Sequence, residues 1–150
     1  MPALSQNLIF KVTNGNTTTN TVQVVYPANT SSALTLVSEP VKGNGYFSNS
    51  DGLHTVFWKI TQFVGSIEVQ STLESNPTDS DWFTVKLNNT NVNYTVDTTG
   101  LIPASSIDKI QYFSPNSISK SYNFTGNFVW IRGKISNWTQ GTVNAISVNR

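Results

Sequence analysis

The apolar residues of this chain recur at every second position in short runs, and each run stops at a cluster of turn-forming residues. Leu8, Phe10 and Val12 alternate with Ile9, Lys11 and Thr13, and Val22, Val24 and Tyr26 repeat the pattern. A period of two places alternate side chains on one face of a pleated strand, whereas a helix needs a period of 3.6. Asn14-Gly15-Asn16-Thr17 separates these two runs and is a good turn signal between strands. Similar runs follow at Thr55–Thr61, Ser66–Leu73, Phe83–Leu87, Val92–Val96, Ile110–Phe113, Ser121–Phe124, Phe128–Ile135 and Thr142–Val148. Between them lie Gly43-Asn44-Gly45, Ser75-Asn76-Pro77, Asn88-Asn89 and Ser114-Pro115-Asn116, all loop chemistry. About ten short strands at roughly 8–12-residue spacing predict an all-β antiparallel sandwich or barrel.

No window carries an amphipathic helix. A single short helical turn is expected over Pro103–Ile107, where Pro103 suits a first helical position and Ser105 and Ser106 can bond backbone amides. With no linker, repeat or low-complexity tail, residues 1–150 read as one domain. Alternation also assigns faces. From Phe128 onward, Val129, Ile131, Gly133 and Ile135 share a face suited to the core. Phe128, Trp130, Arg132 and Lys134 share the other, a mixture of rings and cations suited to a half-covered surface.

Composition narrows the function. The net charge is +1 and only 11% of residues are charged, while Asn, Ser and Thr number 18, 18 and 19. A surface of neutral amides and hydroxyls has little long-range field, and the cations are scattered singly, so neither nucleic acid nor an acidic membrane is an expected partner. There is no cysteine, which removes disulfides, thiolate metal sites and thiol nucleophiles and leans towards synthesis in a reducing cytosol. The first residues, Met1 to Asn7, lack the features of a signal peptide, and the longest apolar runs, such as Phe128–Ile131, are too short to span a bilayer. Asn-x-Ser/Thr sequons occur at Asn16, Asn29, Asn88, Asn93, Asn123 and Asn137, about what so Ser/Thr-rich a chain produces by chance.

Catalytic groups are sparse. His54 is the only histidine, and a set of Ser50, Asp51 and His54 can be named, but no serine sits in a Gly-x-Ser-x-Gly elbow. The densest acidic segment holds Glu74, Asn76, Asp79 and Asp81, an oxygen-rich stretch without the glycine and glutamate of an EF-hand loop. It reads as a solvated connection, and no metal, cofactor or catalytic residue is expected. The aromatic residues say more. Exposed tryptophans stack on sugars or anchor protein interfaces. Trp138 is the best exposed candidate, in the polar turn Ser136 to Gly141. Trp82 and Phe83 must face opposite ways if in a strand, one towards the core and the other outward. The expected contact residues are Trp138, Trp130, Arg132, Trp82, Phe47 and Tyr46.

Gly65 to Leu73, Asp81-Trp82-Phe83-Thr84-Val85, Gly126 to Ile135 and Gly141 to Ala145 follow one another in an order that resembles small jelly-roll (discoidin-like) β-sandwich structural proteins of tailed-bacteriophage particles, especially those of T4-like marine phages. The likeness spans roughly Tyr46 to Val148; before about residue 40 an added strand or an arm to a neighbouring subunit is expected. It implies a non-enzymatic virion component made in the host cytoplasm: a capsid decoration protein, or a neck, tail or fibre accessory. Its partners would be other copies of itself and the major capsid, neck or tail proteins. Discoidin-like folds also serve as carbohydrate-binding modules. The alternative is therefore a sugar-binding module using exposed tryptophans, with host glycans as its partners.

Overall fold

The computed structural model describes residues 5–48, 52–88, 94–97, 100–103 and 106–150, and the alternating runs become strands among them. In chain order these are β1 (Ser5–Asn7), β2 (Phe10–Asn14), β3 (Thr17–Thr21), β4 (Val24–Val25), β5 (Leu34–Val37), β6 (Val41–Lys42) and β7 (Leu53–Thr72). There follow β8 (Phe83–Thr84), β9 (Leu87–Asn88), β10 (Tyr94–Asp97), β11 (Gly100–Pro103), β12 (Ser106–Ile107), β13 (Lys109–Thr125) and β14 (Trp130–Asn149). Helical structure among the described residues is limited to two 3-10 turns, Asn44–Phe47 and Asp79–Asp81. Of the turn expected at Pro103–Ile107, the described residues are in strands: Pro103 ends β11 and Ser106 and Ile107 form β12, while residues 104 and 105 lie outside the described residues. Among the described residues no helix is long and apolar enough to cross a membrane.

The fold is an antiparallel β-sandwich, but its strands are longer than the sequence runs. The expected strands at 55–61 and 66–73 are the two ends of β7, and those at 128–135 and 142–148 lie almost wholly within β14. Residues read as loops act instead as bulges inside continuous ladders. The β13–β7 register shifts between Tyr112 and Asn116, where Ser114-Pro115-Asn116 lies. The β14–β7 register shifts between Ser136 and Gln140. Left-handed φ values at Gln62 (51°), Gly65 (156°), Asn137 (50°) and Gly141 (87°) turn the backbone there. An extra residue on one strand bends it without ending the pairing.

These bends double the ribbon over. Gly133 and Ile146 lie thirteen residues apart in β14, which spans about 43 Å when extended. Yet a Cβ at Gly133 would stand 3.6 Å from Ile146 Cδ1 and 2.8 Å from Leu8 Cδ1. Likewise Trp58 pairs with Lys120 and Gly65 with Tyr112, but Trp58 Nε1 donates to Tyr112 Oη at 3.0 Å. The three long strands thus contribute to both layers. One layer holds residues 66–72, 109–112 and 130–136 with β5, β6 and β8 at its edges. The other holds 53–61, 118–125 and 142–149 with β1, β4 and β9.

Between the layers lies one apolar cluster that includes Trp58, Phe63, Ile67, Ile131, Ile135 and Ile146. Leu8 and Phe10 are fully buried in it, so the segment that leads into β2 is tied to the same core. Each such side chain contributes roughly 1.5–3 kcal/mol by leaving water. The Asn14 to Thr17 turn closes a hairpin as expected, with Gly15 at φ 65° and Asn14 opposite Thr17, although its second strand is Thr17–Thr21 rather than the Val22 run.

Candidate functional site

From Trp130 onward the outer face of the first layer carries the ring-and-cation surface that alternation assigns, whereas Phe128, expected on that face, packs against the core beside His54 and Phe124. Along β14, Ile131, Gly133 and Ile135 are buried, while Trp130, Arg132 and Lys134 are half-buried and face outward. Register sets Arg132 opposite Gln70 and Lys134 opposite Glu68 on β7, and Gln70 opposite Thr84 on β8. The result is a connected polar network. Glu68 Oε1 accepts from Gln70 Nε2 at 3.2 Å and Thr84 Oγ1 at 3.4 Å, with Lys134 Nζ at 3.8 Å. Gln70 Oε1 in turn accepts from Arg132 Nε at 2.9 Å. The guanidinium lies over the Trp82 ring, 4.2 Å from its centroid. Burial pulls the Arg132 pKa down and the nearby Asp79 charge opposes that; a guanidinium stays protonated regardless.

Trp82 is held by a local device. The Thr78 N–H and hydroxyl both donate to Asp81 Oδ2, at 2.7 and 2.8 Å, closing a capping box on the turn that ends at Trp82. The Thr78 backbone bond, then the hydroxyl, keeps the Asp81 carboxyl below its ordinary value of 3.8. Asp81 is thus engaged within its own loop, holding the turn that presents Trp82. On the other side, Trp130 Nε1 donates to the Ser75 carbonyl at 3.0 Å, and its ring meets Tyr46 edge-on at 5.1 Å. Tyr46 and Phe47 belong to the Asn44–Phe47 turn, which packs so tightly that a Cβ on Gly43 or Gly45 would collide with the Phe128 or Asn127 carbonyl. Lys42 lies 4.4 Å from the Tyr46 ring and Arg150 4.0 Å from the Phe47 ring.

These elements leave an open groove of about 580 Å³ between the Ser75–Trp82 loop and the Val37–Pro40 connection. Trp82, Trp130 and Arg132 line it, with Glu39, Asn76 and Asp79. Five of the six expected contact residues are thereby brought together: Trp82, Arg132 and Trp130 in the groove, and Tyr46 and Phe47 continuing from Trp130 through ring contacts.

Trp138 is not among them. It is only 3% exposed, packs edge-on to Tyr26 at 5.5 Å and donates Nε1 to the Gln140 carbonyl at 3.0 Å. The expected polar turn is a bend inside β14, and the left-handed Asn137 with the register shift directs Trp138 inward beside its partner Leu34. Trp82 and Phe83 do not divide into core and surface either. Trp82 is half-buried at the end of a 3-10 turn, and Phe83 is 43% exposed, edge-on to Phe128. His54 is a core residue. It stacks on Phe124 at 4.9 Å, Nε2 accepts the Asn44 N–H, and Nδ1 lies 2.9 Å from the Gly52 carbonyl. Ser50 and Asp51, which would complete the triad, lie outside the described residues.

Neither Gln70, which holds Arg132, nor Glu39, which lines the groove, stands out in the sequence. The available signal for Gln70 was its alternation with Glu68 on a strand that could pair with Arg132 and Lys134. The groove's carboxylates, Glu39 and Asp79, are exposed, whereas a general acid needs an apolar pocket to stay protonated near neutral pH. This chemistry suits holding a ligand rather than cleaving one.

No protein-family model matches the chain, and no curated protein does. Solved structures are similar at low identity. The SPBc2 prophage-derived protein YomS is 9% identical, with 85% of this chain and 91% of that one covered and a TM-score of 0.44. The K2 cleaved adhesin domain of Lys-gingipain is 9% identical, covering 91% and 75%, with a TM-score of 0.47. A family 29 carbohydrate-binding module from Piromyces equi is 10% identical, covering 99% and 91%, with a TM-score of 0.42. None of these likenesses assigns a ligand or a partner.

Proposed function

We propose that the chain is a non-catalytic carbohydrate-binding module whose ligand lies in the groove walled by Trp82 and Trp130. The observation that carries this reading is the pairing of two tryptophans with polar side chains in one open groove of about 580 Å³, a volume within the ~300–1,000 Å³ range of small-ligand clefts. Indole faces suit the C–H face of a sugar ring, and amide, carboxylate and guanidinium groups suit its hydroxyls. Both rings are anchored, Trp130 through Ser75 and Trp82 through Arg132 and the capping box. Anchoring lowers the entropy that binding must overcome. Retention on a panel of polysaccharides in native affinity gels tests the proposal. Trp130→Ala and Trp82→Ala should each abolish retention while leaving the fold intact; a wild-type protein that no polysaccharide retards would refute it.

A second reading is the virion component implied by the sequence resemblance, in a capsid, neck or tail position and as a homo-oligomer. The observation in its favour is the apolar pair Tyr46 and Phe47, 44% and 43% exposed beside the groove, a surface suited to a protein neighbour. Co-sedimentation of the tagged protein with large particles from a lysate of its source supports that role. A monomer that stays at the top of the gradient counts against it.

A further inference from the structure

Resting on the sugar-binding reading, we propose that the groove selects a neutral, hydroxyl-rich sugar over an acidic one, with Arg132 and Asp79 contacting its hydroxyl groups as a separated donor and acceptor.

Several polar groups at the groove are already engaged. Ser38 Oγ donates to the Glu39 carbonyl at 3.1 Å and accepts the Gly133 N–H at 2.9 Å. Trp130 Nε1 is bonded to Ser75, so its ring offers faces and no donor. What remains open is the Asn76 amide, the Asp79 carboxylate and the Nη atoms of Arg132, for which the described residues supply no hydrogen bond. Glu39 is balanced by Lys11, 3.5 Å away.

Arg132 and Asp79 face the same groove and interact electrostatically. Even so, no carboxylate among the described residues comes within 4.0 Å of the guanidinium. Arg132 is not free to swing across, because Gln70 holds its Nε and Trp82 lies beneath it. A fixed donor and an acceptor left apart match a hydroxyl group, which donates to a carboxylate and accepts from a guanidinium. A carboxylate, sulfate or phosphate ester only accepts, and would bring negative charge against Asp79 and Glu39. The formal charges of Glu39, Asp79, Arg132 and the neighbouring Lys11 sum to zero, so no positive field draws an anion in.

The test compares soluble β-glucan, xylan and galactomannan with polygalacturonate and alginate, by affinity gel and titration calorimetry on the full chain. The expected result is binding to a neutral polymer and none to the polyuronates. Asp79→Asn should weaken that binding about tenfold, the loss of one charge-assisted hydrogen bond, with the melting temperature unchanged because Asp79 is exposed. Binding only to polyuronates, tightened by Asp79→Asn, overturns the neutral-sugar inference and leaves the sugar-binding groove standing. Neutral binding indifferent to Asp79→Asn overturns the donor–acceptor role. Binding to none of the polymers removes both proposals together.

Discussion

Gly141 and Gly15 both hold left-handed φ values, 87° and 65°, but their surroundings differ. A Cβ on Gly141 would run into the Gln62 carbonyl across the bend, whereas nothing lies within 4 Å of one on Gly15. Gly15→Ala should therefore lose only about 1 kcal/mol, the conformational term alone. Gly141→Ala adds a backbone collision at a corner that holds the layers together and should lose at least ~3 kcal/mol. Urea midpoints of the two variants check this ordering. The same contrast separates the tryptophans. Trp138→Ala empties a buried site and should cost about 3–5 kcal/mol, while Trp82→Ala removes little beyond a cation–π contact worth about 1 kcal/mol. From sequence, these two residues looked alike, each a tryptophan in a polar stretch. What distinguishes them is the φ of Asn137, one residue away, and composition does not encode whether an Asn adopts the left-handed form to end a strand or to bend one.

Elements were easier to read where one face of a strand is buried. The split of Ile131, Gly133 and Ile135 from Trp130, Arg132 and Lys134 follows directly from alternation, because burying one face fixes the register. The joining of runs into 20-residue strands was not legible, since a bulge and a loop use the same Ser, Asn, Pro and Gly chemistry. The Thr78–Asp81 loop is a different case: Thr78-x-x-Asp81 has the spacing of a capping box, with aspartate in place of the usual glutamate. Its consequence is a pH dependence confined to one element. Folding lowers the Asp81 pKa, so the bond to Thr78 contributes fully above about pH 4 and is lost as pH falls through the lowered value. Carboxyl-carbon NMR should show Asp81 titrating below its ordinary value of 3.8. Asp81→Asn should loosen Trp82 and weaken any ligand in the groove while changing the global unfolding midpoint little, because the turn is exposed. An equal loss of global stability would mean that the loop is part of the cooperative core.

At the scale of the whole molecule, the doubled ribbon makes contacts between its halves decisive. Trp58 and Tyr112 belong to opposite layers and are joined by the 3.0 Å bond from Nε1 to Oη. Tyr122 leans on the Trp58 ring at 5.2 Å from within the same layer as Trp58. Burial raises the Tyr112 pKa against the Trp58 hydrogen bond, which lowers it. Burial, reinforced by the nearness of Tyr112, pushes Tyr122 up to about 12. A phenol whose folded pKa exceeds its unfolded value stabilises the fold fully below the unfolded value of about 10. That contribution is lost as pH rises through the folded value, because the unfolded chain releases its proton first. The sandwich should therefore weaken between about pH 10 and pH 12. Lysines titrate in the same range, so the diagnostic quantity is the difference between wild type and Tyr122→Phe. The variant keeps the ring against Trp58 and has no proton to lose, so its melting temperature should fall less steeply over that interval. Tyrosinate absorbance in the wild type should rise together with unfolding. Parallel alkaline slopes in the two proteins would show that Tyr122 ionises without opening the fold, and that the strain of high pH falls elsewhere in the ribbon.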